Sequence, residues 1–99
     1  MRHSILYTAD ADSHMRLLTA YQRATVLSTV ERELAHEPTG ETRNRKPMRP
    51  NPIAPWELRI GNLRVYYRVD SDREPTVVVV AVGVKVGNRV WIGNEEIVT

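Results

Sequence analysis

Residues 56–69 read WELRIGNLRVYYRV and predict two strands joined by a two-residue turn. Gly61 and Asn62 separate two runs that alternate between apolar and polar residues, and both residue types tolerate the positive φ angles of tight hairpin turns. With a period of two, the apolar side chains share one face of the hairpin. The other face holds Glu57, Arg59, Arg64, Tyr66 and Arg68.

The charged face of this hairpin has two interpretations. The turn places Arg59 directly opposite Arg64, and like charges in that position cost a few tenths of a kcal/mol or more. One interpretation is a solvated sheet face on which the long side chains diverge. The other is an anion site, because guanidinium groups on rigid strands match phosphate oxygens bidentately. From the residues alone, both interpretations stay open.

The composition is that of one small folded domain, residues 1–99. The 99 residues are 41% hydrophobic and 26% charged, which suits a single modest core. No apolar run approaches the roughly 20 residues that span a bilayer, and no signal-peptide stretch follows Met1. The absence of cysteine excludes disulfides and thiolate metal sites. We expect a cytoplasmic protein that uses no metal and no cofactor.

The net charge of +2 is unevenly distributed along the chain. Residues 37–64 contain six basic and three acidic residues. The six are Arg43, Arg45, Lys46, Arg49, Arg59 and Arg64. A polyanionic or acidic partner is therefore expected to dock on the middle third of the chain.

The N-terminal third predicts a short strand followed by helix. The strand covers residues 4–7, and Thr8 or Asp10 can cap the helix that follows. Apolar residues then recur at spacings of three and four, which predicts a core-facing stripe. The stripe comprises Leu17, Tyr21, Ala24, Leu27, Val30 and Leu34. No glycine or proline interrupts residues 10–36, so one helix and a helical hairpin both fit.

Residues 37–55 hold five of the six prolines and show no apolar periodicity, which predicts a loop. The loop is longer than most connections in a compact domain, a feature of functional or disordered segments. One interpretation is a solubilising connector over the sheet edge. The other is a basic strap that follows an RNA backbone through Arg45, Lys46 and Arg49.

The C-terminal third predicts further strands. Residues 76–82 form a continuous β-branched run, as expected of a central strand buried on both faces. Residues 89–92 predict a short final strand, and residues 93–99 predict a tail. The predicted fold class is α+β, with helices packed on one side of a four- or five-stranded, mainly antiparallel, twisted sheet.

The charged residues of the hairpin could support RNA cleavage. Attack of a 2′-hydroxyl on the adjacent phosphate needs a base, cations that stabilise the added negative charge, and an acid for the leaving oxygen. Glu57 is the carboxylate best placed to act as the base. The cations would be Arg64, Lys85 and Arg59. His3, His14 and His36 show no metal-ligand spacing.

The hairpin has the pattern W-E-L-R-x-G-x-L-R-V-x-Y. It is followed by an acidic turn, a Val-rich strand, and Gly83-Val84-Lys85 before Arg89-Val90-Trp91. Together these features resemble the RelE/ParE superfamily of bacterial toxins. The resemblance covers nearly the whole chain. It implies a helical hairpin bent near residues 18–20. It also implies a ribosome-dependent mRNA endonuclease that a co-expressed antitoxin inactivates by wrapping it in a hetero-oligomer.

The resemblance also assigns roles to single residues. Arg64 matches the arginine that acts on the scissile phosphate, Lys85 matches a second basic catalytic position, and Glu57 matches the base of some branches. Trp91 stands where a functional tyrosine or histidine is usual. Its indole could stack on a base but cannot act as an acid or base near neutral pH.

Two further residues complete the predicted RNA-binding set. Tyr66, on the charged face, could take over the role of the missing tyrosine, or it could simply pack beside Arg68. Arg89 could contact a phosphate or serve as a charge that protects an edge strand from aggregation.

A member of the same fold that is not a nuclease is the alternative. It could inhibit DNA gyrase, as ParE-like toxins do, or it could be a binding module whose catalytic set has decayed. Trp91 at the tyrosine position and the absence of histidine after His36 favour this alternative.

Overall fold

The computed structural model describes residues 2–72 and 74–97. These residues form two helices and one sheet, which confirms the α+β fold class, but the sheet has seven strands where four or five were predicted. The elements in chain order are β1 (Ser4–Tyr7), α1 (Ala9–Arg16), α2 (Ala20–Leu34), β2 (Arg45–Pro47), β3 (Trp56–Ile60), β4 (Leu63–Asp70), β5 (Thr76–Val86), β6 (Arg89–Ile92) and β7 (Glu95–Ile97).

The two additional strands are short and polar, and for that reason they carry no alternating apolar signal. β2 lies inside the predicted loop 37–55 and pairs with β3 at the edge of the sheet. Pro47 is tolerated there because an edge strand can lack one backbone donor. β7 lies inside the predicted tail 93–99, of which residues 98 and 99 fall outside the described range.

The β3–β4 hairpin is confirmed in its predicted register, with Ile60 opposite Leu63 and Arg59 opposite Arg64. Within the turn, Gly61 takes a positive φ of 58°, whereas Asn62 does not. A positive φ at only the first turn residue is the pattern of a type II′ turn, which matches the right-handed twist of paired strands.

Strand β5 is the centre of the sheet. β4 runs antiparallel along one edge of β5, from Thr76 to Val84. The other edge is shared, because β1 pairs in parallel with residues 76–79 and β6 pairs antiparallel with residues 83–86. The residues between these two partners lie in a gap that helix α1 fills.

The helical hairpin is confirmed. Thr8 caps α1 by accepting a hydrogen bond from the Ala11 N–H, and Thr19 caps α2 in a capping box with Gln22. A capping box starts a new helix without glycine or proline, because two backbone donors are satisfied by side chains. Neither described helix combines the length and the apolar character needed to cross a membrane.

The predicted core stripe of the helices is wrong in its first part. Leu17, Ala24 and Leu27 are exposed, and Tyr21 is 83% exposed. The break between α1 and α2 changes which residues of α2 face the core. A spacing of three and four counted from Leu17 therefore does not identify the buried face of α2. The buried face of α2 comprises Val26, Thr29, Val30 and Leu34.

The two faces of the sheet differ. The helices cover one face, here called the helix face, over a core that includes Leu58, Val65, Tyr67 and Val79. The opposite face, here called the open face, carries a smaller cluster of Ala54, Tyr66 and Ala81. The side chains packed against this cluster are Met48, Ile53, Val80, Val90, Ile92 and Ile97. Residues 48–55, here called the strap, therefore cover the middle of the open face.

Candidate functional site

Arg64 is anchored to the turn of its own hairpin. Only 8% of the residue is exposed, and its Nη1 atom donates hydrogen bonds of 2.8 Å to the carbonyl oxygens of Gly61 and Leu63. Among the described residues, none accepts a hydrogen bond from its Nε or Nη2 atom. One edge of the guanidinium is thus fixed by backbone, and the other carries the fork of N–H groups that matches an anion.

Glu57 has two polar neighbours on the open face. The Nε atom of Arg59 donates to its carboxylate at 2.8 Å, which fixes the orientation of Glu57. Tyr66 lies directly opposite Glu57 in the ladder. Burial raises the pKa of Tyr66, and the negative charge of Glu57 raises it further, so the Tyr66 hydroxyl stays protonated.

This arrangement relieves the repulsion that the sequence predicts between Arg59 and Arg64. Arg59 turns along its own strand to Glu57, whereas Arg64 turns to the carbonyl groups of the hairpin. The two guanidinium groups keep separate partners even though their backbones are paired. Both positive charges are therefore retained on one face without mutual contact.

Lys46 and Lys85 flank this cluster. Lys46 lies opposite Glu57 in the β2–β3 ladder, and its Nζ atom is 3.5 Å from a carboxylate oxygen of Glu41. The backbone N–H of Lys85 donates to the carbonyl of Asn62 at 2.7 Å, which places Lys85 beside the hairpin turn. Both lysines lie on the open face, so Glu57 shares this face with four cations: Lys46, Arg59, Arg64 and Lys85.

Gly83 lies opposite Arg64 in the β4–β5 ladder and brings strand β6 close. A Cβ atom at this position would lie 2.7 Å from the carbonyl oxygen of Trp91. The glycine therefore keeps the position opposite Arg64 free of a side chain. Strand β6 fills the space next to Gly83 with its backbone and with the Ile92 and Val90 side chains, and Lys85 lies two residues further along β5.

Arg49 faces the cationic cluster across a groove of about 470 Å³, here called the basic groove. Residues 47–52 form one wall and Arg59 contributes to the other. The middle of the predicted loop 37–55 therefore packs against the sheet, and Arg49 adds an exposed guanidinium to the same side of the molecule.

Trp91 and Arg89 lie away from this cluster. Trp91 pairs with Val84, and Val84 pairs with Leu63, whose side chain belongs to the helix-face core. Arg89 shares the parity of Trp91 and forms an ion pair of 3.6 Å with Glu96. The resemblance locates these residues in the sequence only. The face on which their side chains lie depends on the register between β5 and β6.

Arg45 is also placed elsewhere, although its neighbour Lys46 is not. It lies opposite Leu58 and so points to the helix face. Its guanidinium donates to the carbonyl oxygens of Gly40 and Glu33 at 2.9 and 2.6 Å, and it pairs with the Glu33 carboxylate. Arg45 thus fastens the segment after α2 to the end of that helix.

Asn51, which the sequence interpretation did not single out, organises the strap. Its Nδ2 atom donates to the carbonyl oxygens of Arg49 and Ala54, and its Oδ1 atom accepts from the N–H groups of Ile53 and Ala54. An asparagine among prolines is a general turn signal, since its side chain can bond to nearby backbone. The strap is therefore pre-formed by one side chain.

Replacing Asn51 with alanine should destabilise the protein by about 1–3 kcal/mol, because backbone groups of the strap lose their partners. Urea unfolding of the two proteins would measure the change. Asn44→Ala is the matched control, since the Asn44 side chain makes no hydrogen bond within the described residues. Equal unfolding midpoints for the Asn51 and Asn44 variants would contradict this role.

His14 fills the gap beside β5. The backbone N–H of Val82 donates to its Nδ1 atom at 3.3 Å, and Thr8 donates to the carbonyls of Val79 and Val80 on the other side of the gap. Burial lowers the pKa of His14, while the nearby Asp10 acts in the opposite direction. The neutral ring is the form that can accept this hydrogen bond.

Because the pKa of His14 is lowered in the folded state, the unfolded chain takes up a proton first as the pH falls. Stability should therefore decrease below the ordinary value of 6.5 and should regain its full value above it. Urea midpoints measured from about pH 5 to about pH 8 would show this dependence. His14→Gln should flatten the curve, and an unchanged curve would refute the assignment.

The described residues contain no group of three or more His, Cys, Asp or Glu side chains that could hold a metal ion.

Comparison with known proteins gives a likeness to solved structures. No protein-family model and no curated protein matches the chain. Among solved structures, it is similar to a chain of the toxin–antitoxin complex RelBE2 from Mycobacterium tuberculosis, with a TM-score of 0.72 and 27% sequence identity. The match covers 86% of this chain and 100% of that one. The resemblance that the hairpin sequence indicates is thereby confirmed, and the chain is RelE-like.

Proposed function

We propose that this chain is the toxin of a type II toxin–antitoxin system and that it cleaves mRNA on the ribosome in the cytoplasm. Its likeness to a chain of a toxin–antitoxin complex supports the first part and a cognate antitoxin as partner. The observation that carries the second part is Arg64, which is anchored to the turn on the face that also holds Glu57 and three further cations.

The geometry suits transesterification of the phosphodiester. Glu57 removes the proton of a 2′-hydroxyl, the 2′-oxygen forms a bond to phosphorus, and the bond from phosphorus to the 5′-oxygen breaks. The products are a 2′,3′-cyclic phosphate and a free 5′-hydroxyl. Arg64 binds the non-bridging oxygens through Nε and Nη2 and stabilises the added charge. Lys85, exposed at the edge of the cluster, donates the proton to the leaving oxygen.

Arg59 links RNA binding to the release of Glu57, the general base. In the free protein its guanidinium occupies the Glu57 carboxylate. A phosphate in the basic groove competes for Arg59 and so frees a carboxylate oxygen for the 2′-hydroxyl. Tyr66, which lies opposite Glu57 in the ladder, stays protonated beside it during this exchange.

Residues 1–99 would then be one toxin domain, in which segment 37–55 contributes Lys46 and Arg49 as phosphate contacts. Arg45, Arg89 and Trp91 are omitted from the RNA contacts, because their side chains lie on the helix face. Tyr66 lies opposite Glu57 and does not contact RNA, since only 1% of it is exposed.

A non-nuclease of the same fold is the second candidate, either a ParE-like inhibitor of DNA gyrase or a binding module. Two observations favour it: Trp91 faces away from the cluster, and Glu57 is already paired with Arg59. Such a protein would leave transcripts intact.

The test combines purified protein, a defined mRNA and ribosomes stalled at known codons. We expect cleavage at the codons where the ribosomes are stalled, no cleavage without ribosomes, and products that end in a cyclic phosphate. Glu57→Gln should slow cleavage by roughly 10²- to 10⁴-fold, the usual contribution of a general base. Intact mRNA with the wild-type protein would favour the second candidate.

A further inference from the structure

A second cleft lies on the open face, on the other side of the strap from the basic groove. It has a volume of about 640 Å³ and is here called the acidic cleft. Helix α1, the strap and strands β6 and β7 all contribute to its walls. The residues that define its chemistry are Asp10, His14, Ile53, Ile92, Glu95 and Ile97.

The charge of the acidic cleft is opposite to that of the basic groove. Asp10 and Glu95 line the cleft, and no lysine or arginine does so among the described residues. Neither carboxylate forms an ion pair within the part of the chain that the structure describes. In a protein with a net charge of +2, this cleft is thus a local surface that attracts cations.

The floor of the cleft is apolar and ordered. Ile53, Ile92 and Ile97 pack against the small cluster around Tyr66 and Ala81. Asn51 fixes the position of Ile53 by accepting its backbone N–H at 2.8 Å. Such a floor accommodates the aliphatic part of a side chain, while the charged end reaches the carboxylates at the rim.

His14 adds one directed donor. Because its Nδ1 atom accepts the Val82 N–H, the neutral ring carries its proton on Nε2. His14 lines the cleft, and this nitrogen lies toward Gly93, which is also part of the wall. A backbone carbonyl of a bound peptide can therefore accept a hydrogen bond there.

We propose that the acidic cleft binds a segment of a protein partner in which a lysine or arginine stands between aliphatic residues. The cation pairs with Asp10 and Glu95, the aliphatic side chains cover the isoleucine floor, and a carbonyl accepts from His14. The inference rests on the proposed function in one respect: the antitoxin is taken as the source of the segment. RNA and this segment would then occupy opposite sides of the strap.

The probe is the peptide acetyl-Leu-Lys-Leu-amide, titrated into the full chain labelled with ¹⁵N. We expect saturable shifts of the amide signals of Val82 and residues 92–97, and no such shifts with acetyl-Leu-Glu-Leu-amide. The double variant Asp10→Asn, Glu95→Gln should bind the peptide roughly three- to tenfold more weakly, as expected for two partly exposed ion pairs.

Asp12→Asn is the matched control, because Asp12 lies on the same helix but pairs with Arg16 and does not line the cleft. It should bind as the wild type does. Equal shifts with both peptides, shifts located elsewhere, or unchanged affinity in the double variant would each overturn the inference. The titration uses neither RNA nor ribosomes, so its failure is distinct from failure of the proposed nuclease function.

Discussion

Replacing Arg64 with alanine is expected to reduce ribosome-dependent mRNA cleavage by roughly 10²- to 10³-fold, the usual effect of removing one donor to a developing anion. The guanidinium is fixed by the carbonyl groups of Gly61 and Leu63, so it needs no reorganisation when charge develops on the phosphate. Single-turnover cleavage on stalled ribosomes would measure the loss.

Two further variants separate this role from general attraction to RNA. Arg68→Ala removes an exposed arginine on the same strand and face, and it should change cleavage by less than about threefold. Arg64→Lys keeps the charge but loses the forked geometry, and should recover little activity. Equal losses for Arg64→Ala and Arg68→Ala would show that Arg64 acts only as one charge among several.

Replacing Tyr67 with alanine should cost about 3–5 kcal/mol of folding stability, enough to unfold many domains of this size. Tyr67 is fully buried, stacks on Trp56 with ring centroids 6.3 Å apart, and donates its hydroxyl to the carbonyl of Pro38. Burial raises the pKa of Tyr67, so the hydroxyl remains a donor. Urea unfolding or circular dichroism would measure the loss.

Tyr67→Phe divides this cost into two parts. It keeps the ring packing and removes only the hydrogen bond to buried Pro38, so a loss of about 1–3 kcal/mol is expected. Equal stability of the phenylalanine variant and the wild type would mean that the tether to segment 37–55 contributes nothing.

The sequence was sufficient for the hairpin because its signals are local. Gly61 marks the turn, and a period of two assigns every side chain from Trp56 to Val69 to a face, which the register confirms. The same reasoning identified Ser4–Tyr7, the valine-rich strand and the α+β class.

Long-range geometry could not be predicted in the same way. The face of Trp91 depends on the register between β5 and β6, and the break at Thr19 shifts the phase of α2 away from Tyr21. The face of Trp91 depends on how two strands pair, and the phase of α2 depends on where the helix restarts. A count of periodicity along one segment carries no information about either.

The face of the hairpin residues in the candidate site was predictable, but their contacts were not. Glu57, Arg59 and Arg64 share the open face, as the period of two indicates. Lys85 joins them through the register between β4 and β5, which a period count does not contain. That Arg64 turns to the hairpin carbonyls and that Arg59 pairs with Glu57 depend on side-chain conformations. Asn51 and His14 form hydrogen bonds with backbone groups. Their residue types alone do not indicate this role.

The strap separates two surfaces of opposite charge on one face of the sheet. The basic groove suits a phosphate backbone, and the acidic cleft suits a basic protein segment. Because Asn51 pre-forms the strap, both surfaces exist before any partner binds, and neither needs the other to be filled.

The proposed nuclease activity can be tested in a bacterial host by inducing the chain alone and mapping new mRNA 5′ ends against the reading frame, with Arg64→Ala as the control. We expect growth arrest together with new ends inside translated codons, both absent in the variant. Growth arrest without new ends, or new ends that persist with Arg64→Ala, would contradict it.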